Sequence, residues 1–337
     1  MSFPNTKFMG SKQAILPFIV DQAQKLKFKT VLDAFSGSGC VAYAFKQMGA
    51  QVQANDMLRF SFHTARATVQ NNAVRLTEKD LQTLLRTNRK AETFVQDTFG
   101  NLYFSSKDNE FLDHLWANIQ DLGNGVKRSI AIAAACRAAM KKRPRGIFTF
   151  VGKKGWDGRK DLRLTLREQF LLAVESLNRS VFSNGKRNQA VCGDVFDLGP
   201  EEYDLVYIDP PYISPYSDCD YTRRYHFVEG FCSYWKDLEI QRNTLTKKFR
   251  SYPTAFAKRS EAEDSFRRLF HRFHKSTLMV SYSSNGIPWR DDLTRLLREV
   301  KDNVKVYETP HRYSFGNHGH KVGDNNNTVR EYLFVAS

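Results

Sequence analysis

The chain has 337 residues, with 51 Lys and Arg against 36 Asp and Glu, a formal net charge of +15 with histidine neutral. At 41% hydrophobic, 26% charged and 13% aromatic, it is an ordinary globular composition long enough to bury a core without metals or disulfides, which excludes collagen, coiled coil and disordered classes. No apolar run approaches the length of a membrane span, and the polar, basic stretch from Met1 to Lys12 lacks the apolar centre of a signal peptide, so a cytoplasmic protein with no membrane partner is expected. The five cysteines are odd in number and contain no C-x-x-C pair, so reduced thiols are expected, with neither a metal site nor a disulfide frame.

In chain order, Ser11 is placed to cap a helix running toward Lys25, with Pro17 near its first turn. Thr30 to Ala34 reads as a strand, Phe35 to Gly39 as a glycine turn, Cys40 to Met48 as a helix and Gln51 to Asn55 as a second strand, which together make a βαβ unit. From Leu58 to about Asn184 strand patterns nearly vanish. Helices are predicted over Phe111 to Leu122, Val126 to Met140 and Leu166 to Asn178. Strands resume at Gln189 to Cys192, Tyr203 to Ile208, Thr277 to Tyr282, Lys305 to Tyr307 and Tyr332 to Val335. Between them, Phe266, Leu269, Phe270 and Phe273 share one helical face, a stripe read as core packing. Gly323 to Thr328 reads as a loop or turn. The pattern predicts an α/β fold with a helical insertion domain: 1–57 and 185–337 form the catalytic domain, and 58–184 the insertion.

Chemistry concentrates at strand ends. Asp33 precedes Phe35, Ser36, Gly37 and Gly39, whose glycines let a ligand approach the backbone; an acid there repels a pyrophosphate and suits a cation. Asp56 follows the next strand, placed to accept from two ribose hydroxyls, a feature that does not separate NAD from S-adenosylmethionine. In Asp209-Pro210-Pro211-Tyr212, a strand delivers an acid to its carboxyl end, and two prolines without N–H groups leave a turn that offers acceptors only. With Tyr212 as a flat stacking face, the turn suits an amine on a heterocycle.

The positive charge is clustered. Nine basic residues lie between Lys141 and Arg163 (Lys141, Lys142, Arg143, Arg145, Lys153, Lys154, Arg159, Lys160, Arg163) against Asp157 and Asp161. From Arg242 to Arg259 a second run, including Lys247, Lys248 and Arg250, has no acid and is interleaved with Phe249, Tyr252 and Phe256. Two such runs are the footprint of a phosphate-backbone partner.

These motifs, in this order, resemble the Dam-like alpha group of adenine-specific DNA methyltransferases, with its Asp-Pro-Pro-Tyr turn. Phe8-Met9-Gly10-Ser11-Lys12 is similar to the family's N-terminal element, Asp33 to Gly39 to its cofactor loop, and Cys192-Gly193-Asp194-Val195-Phe196 to its acid after the third strand; Tyr225 to Glu229 and Ser281 to Gly286 match weaker features. The resemblance implies a Rossmann-like S-adenosylmethionine-dependent methyltransferase fold. It implies a cofactor held by Phe8, Lys12, Asp33, Phe35, Ser36, Gly37, Gly39, Asp56, Asp194, Val195 and Phe196, and catalysis by Asp209, Pro210, Pro211 and Tyr212 on a flipped-out adenine. Double-stranded DNA would be gripped by the two basic runs, clamped from opposite sides, with 58–184 as the target-recognition region; the setting would be either a restriction-modification system with a cognate restriction endonuclease or a phage or orphan methylation system. The rival readings are an RNA adenine or DNA N4-cytosine methyltransferase, and a catalytically silent DNA-binding protein on the same scaffold. An NAD-dependent oxidoreductase fails for want of a hydride-transfer constellation.

Overall fold

The computed structural model describes residues 2–4, 6–152, 157–199, 202–211, 213, 220–256, 258–312 and 328–337. Tyr212, Lys153, Lys154 and most of the expected loop at 323–328 therefore lie outside the described residues; Thr328 itself opens a strand. The chain sorts into two compact units, a sheet unit of Lys12–Met57, Gly185–Asp220 and Tyr252–Ser337, and a helical unit of Met1–Ser11, Leu58–Asn184 and Tyr221–Ser251. The helical unit thus takes in two segments, Met1–Ser11 and Tyr221–Ser251, that the sequence reading leaves with the catalytic part.

The sheet unit contains β1 (Thr30–Asp33), β2 (Gln51–Asp56), β3 (Gln189–Cys192), β4 (Leu205–Ile208), β5 (Thr277–Ser283), β6 (Val304–Arg312) and β7 (Thr328–Ala336), in the spatial order β3-β2-β1-β4-β5-β7-β6. The first five are mutually parallel, and β7 runs antiparallel to both β5 and β6. This is the Rossmann-like methyltransferase arrangement. Strand order reverses between β1 and β4, so the crevice for ligands opens at the carboxyl ends of those two strands. All four residues of β4 are buried, as a central parallel strand covered on both faces requires. The helix Arg259–Arg272 lays Phe266, Leu269 and Phe270 into the core with Leu32, Val206, Ile208, Leu278, Val280 and Phe334, and Phe273 joins them just past its end.

Two expectations need correction here. A 3₁₀ turn at Lys12–Ala14 displaces the first helix to Leu16–Ala23, with Ile15 rather than Ser11 at its N-cap and Pro17 in the first turn, where a missing N–H costs nothing. The last two strands are each nine residues, more than twice the predicted lengths. Charged side chains such as Lys305, Glu308 and Arg330 interrupt their apolar pattern because this hairpin sits at the sheet edge, where Arg330 and Glu308 pair across it at 3.1 Å and Pro310 is tolerated.

In the helical unit the helix Gly125–Lys141 is almost wholly buried and rich in alanine, which lets the helices Leu166–Ser180 and Arg59–Ala65 pack closely on it. Its start is capped by Asn124, which accepts from the Val126 and Lys127 amides, and Leu166–Ser180 begins with a Thr165–Glu168 capping box. Glu229, fully buried on the helix Tyr221–Phe231, accepts from the Arg59 and Phe60 amides at 3.0 and 3.2 Å. Among the described residues no helix is long and apolar enough to cross a membrane.

Candidate active site at the carboxyl ends of the sheet

The loop after β1 is stitched to its neighbours by backbone bonds. The Ala34 amide donates to the Tyr207 carbonyl at 3.0 Å and the Ser36 amide to the Asn55 carbonyl at 2.8 Å, while the Asn55 side chain donates through Nδ2 to the Ala34 and Gly193 carbonyls. Gly37 and Gly39 hold positive φ of 49° and 82°, which is why glycine is needed at both places, and Gly39 begins the helix Cys40–Gln47. The Gly37 amide, turned inward by that conformation, donates to the Asp56 carboxylate at 2.7 Å.

Asp33 is fully buried at the end of β1, yet among the described residues neither carboxylate oxygen has a hydrogen-bond partner. Burial raises its pKa well above the usual carboxylate range, the nearby charges of Asp209 and Asp56 raise it further, and the Ala42 and Phe35 amides, close to it but short of hydrogen-bond geometry, oppose this only in part. The Ser36 hydroxyl, also buried, is likewise without a partner among the described residues. A buried acid of this kind is costly unless something cationic completes it. The chemistry of this donor set therefore fits the ammonium of an amino-acid moiety.

The other expected cofactor residues are less uniform. Asp194 commits one oxygen to capping the turn Val195–Asp197, accepting from the Phe196 amide at 2.9 Å. Val195 belongs to the sheet core. Phe35 and Phe196, both partly exposed, flank Phe256, one edge-on at 5.3 Å and the other stacked at 6.3 Å, and the Arg268 guanidinium lies 4.5 Å over the Phe196 ring. Phe256, read from the sequence as part of a nucleic-acid surface, is a core residue.

Beyond β4 the chain presents Asp209, then Pro210 and Pro211. Lys12, expected at the edge of a cofactor site, is buried and places its ammonium 2.9 Å from the Asp209 carboxylate and 4.0 Å from that of Glu331 on β7, itself buried. Burial pushes the Asp209 pKa up to about 6 despite the opposing pull of Lys12, with Glu331 adding a smaller upward push. Ile213, just past the turn, bridges Ile287, whose amide donates to the Ile213 carbonyl at 2.9 Å. Sequence reasoning missed Glu331; its one signal is a lone acid opening the apolar run Tyr332 to Ala336.

In the helical unit Phe8 stacks on Tyr225 with centroids 5.3 Å apart, and on Tyr221 at 5.8 Å, and the Met9 amide donates to the Tyr225 hydroxyl at 2.7 Å. His226 is buried, its Nε2 lies 3.1 Å from the Phe148 carbonyl, and burial lowers its pKa to about 4, so it is neutral.

The basic runs divide. The expectation of a DNA contact fails for Arg143: its side chain is buried, donates to the Gly152 carbonyl at 2.9 Å and the Phe150 carbonyl at 2.6 Å, and lies over the Tyr103 and Phe150 rings. Lys142 is largely buried as well, 3.3 Å from Asp108 and donating to the Leu164 carbonyl, so it too is occupied inside the unit. Lys141 is part-exposed 3.9 Å from Asp161, Arg145 is part-exposed with a left-handed φ of 62°, and Arg159 is exposed and paired with Asp157. Of the second run, Arg250 is exposed and Lys247 and Lys248 are partly so, but Phe249 between them is buried. That run is also split between the units, with Ser251 in the helical one and Tyr252 in the sheet one.

Compared with known proteins, residues 8–284 match the family model of the D12 class N6 adenine-specific DNA methyltransferases. The chain is 28% identical over 330 residues to the Type II methyltransferase M2.HphI of Haemophilus parahaemolyticus, covering 92% of each chain. It is 26% identical over 340 residues to the modification methylase StsI of Streptococcus sanguinis and 23% over 359 residues to the Type II methyltransferase M.FokI of Planomicrobium okeanokoites. The matches take 91% and 97% of this chain but 48% and 52% of those two proteins, so it spans about half their length.

Proposed function

Because this chain belongs to the D12 class of N6 adenine-specific DNA methyltransferases, its reaction is methylation of the N6 amine of adenine in DNA, and we propose that Asp209 and the Pro210 carbonyl are the acceptors that position that amine. The observation that carries this reading is Asp209 itself: a half-buried acid just past β4, at the strand-order reversal, paired with a buried lysine and in the same unit as Asp33. Enzymes of this kind use S-adenosylmethionine, which supplies an electrophilic methyl group on a sulfonium. Asp33 would accept from its ammonium, Asp56 from its ribose, and Asp194, with the oxygen not used in capping, from its adenine amine.

A paired base is out of reach within a duplex, so the adenine must leave the stack, at a cost of a few kcal/mol. Tyr212 is proposed to stack on it. With a pKa of about 6, Asp209 is ionised at neutral pH and accepts a hydrogen bond from the amine, which turns the nitrogen lone pair out of conjugation and toward the methyl group. A restriction-modification setting in the cytoplasm, with a cognate endonuclease and with 58–184 contributing target recognition, is part of the same proposal and is motivated by the modification methylases among the relatives.

Asp209→Ala should abolish methyl transfer to unmethylated genomic DNA while cofactor affinity by calorimetry stays within a few-fold. Near-normal turnover in that variant would remove Asp209 from the mechanism.

A further inference from the structure

We propose that Glu331 is a positioning residue for methyl transfer: it shares the Lys12 ammonium with Asp209 and thereby keeps the Asp209 carboxylate available to the target amine. This rests on the reading of Asp209 as the amine's acceptor.

Lys12 is 5% exposed and Glu331 1%, so the ammonium is held between two carboxylates, at 2.9 and 4.0 Å, in a site where water screens little. With one buried lysine facing Asp209 alone, the pair would be neutral and the Asp209 oxygen would be spent on Lys12. The second carboxylate leaves the trio with a net negative charge, which raises the acceptor strength of Asp209. Fold stability does not account for an acid at this place. Leu333, Phe334, Val335 and Ala336 of the same strand are all buried and apolar, and well-packed apolar residues generally serve a core as well as a buried ion pair or better. Backbone pairing sets Glu331 opposite Ser283 of β5, the strand next to β4, so the sheet itself fixes its distance from the turn. Among the described residues, Asp33 and the Tyr207 phenol are further titratable groups facing Asp209; burial holds both pKa values well above their usual ranges.

The test is the pH dependence of single-turnover methylation of unmethylated genomic DNA by the full chain with Glu331→Gln, run beside Asp209→Asn. Loss of the Glu331 charge makes ionised Asp209 easier to form, so the acidic limb of the profile should move to lower pH, by about one pH unit. The plateau rate should fall about three- to tenfold as the acceptor weakens, with cofactor affinity unchanged. A residue that merely supports the fold would lower the amount of active protein without moving the limb. If Glu331→Gln does not fold, Glu331→Asp carries the test: one methylene less lengthens the contact to Lys12 and should move the limb the same way by a smaller amount. An unmoved limb in the folded variant overturns the proposal while Asp209→Asn remains inactive. Activity in Asp209→Asn would instead overturn the reading of Asp209.

Discussion

Replacing Asp33 by asparagine should make the cofactor-free protein more stable and the cofactor bind worse, two effects with one physical origin. The carboxylate is fully buried with no hydrogen-bond partner for either oxygen among the described residues, and leaving a buried polar group unsatisfied costs about 1–3 kcal/mol, more when it is charged. Asparagine leaves its amide equally unpartnered but carries no charge; relief of about 1 kcal/mol of that charge cost, at a pH where Asp33 is ionised, should raise the thermal midpoint by roughly 2–4 °C in a domain of this size. The pH dependence gives the sign. The Asp33 pKa is raised in the folded state, so the native protein binds more protons than the unfolded chain between the usual carboxylate value and the raised one, and wild-type stability falls as pH climbs through that window. The advantage of Asp33→Asn should therefore be small in acid and widen with rising pH. A hydrogen bond to a charged group contributes about 1.5–3 kcal/mol, so losing the acid should weaken S-adenosylmethionine binding roughly 10- to 150-fold. Thermal melts across pH without cofactor, and calorimetric titration with it, measure both. If Asp33→Asn melts lower than wild type at every pH, or binds the cofactor equally well, the partnerless-acid argument is wrong.

Arg143→Met should destabilise the helical unit by about 3 kcal/mol in urea unfolding, because two carbonyls lose a charged donor, while the salt slope of DNA binding stays unchanged in the folded variant. Neutralising Lys247 and Lys248 together should weaken binding to all duplexes alike and reduce the salt slope by about 0.9 for each phosphate that no longer meets a lysine; unchanged affinity at low salt would assign that charge to solvated surface.

The parts of the site that the sequence makes legible are those encoded locally. Val31-Leu32-Asp33 and Leu205 to Asp209 show a buried parallel strand as an apolar run and its ligand-facing end as the acid that stops it. The glycines between Asp33 and the next helix announce a tight turn for the same local reason. Lys12 and Glu331 lie at opposite ends of the chain and meet only because β7 inserts beside β5, so neither residue's neighbours in sequence reveal the contact. The basic run around Arg143 misleads for a related reason. Composition counts a guanidinium as surface charge, whereas the fold turns this one inward onto the carbonyls of its own loop, and a long planar donor can do either. Phe249 and Phe256 repeat the point for aromatics, since both are buried rather than displayed beside the basic residues.

Asp33 and Asp209 are the same residue type in one unit, and environment alone separates their work. Asp209 already has a cation at 2.9 Å, so its ionised form is available near neutral pH without any ligand, as an acceptor for a substrate must be. Asp33 has none among the described residues, so its ionised form becomes favourable when a cation arrives from outside the chain. Below the raised pKa of Asp33, binding an ammonium there should therefore expel a proton, a consequence that distinguishes a binding acid from a catalytic one.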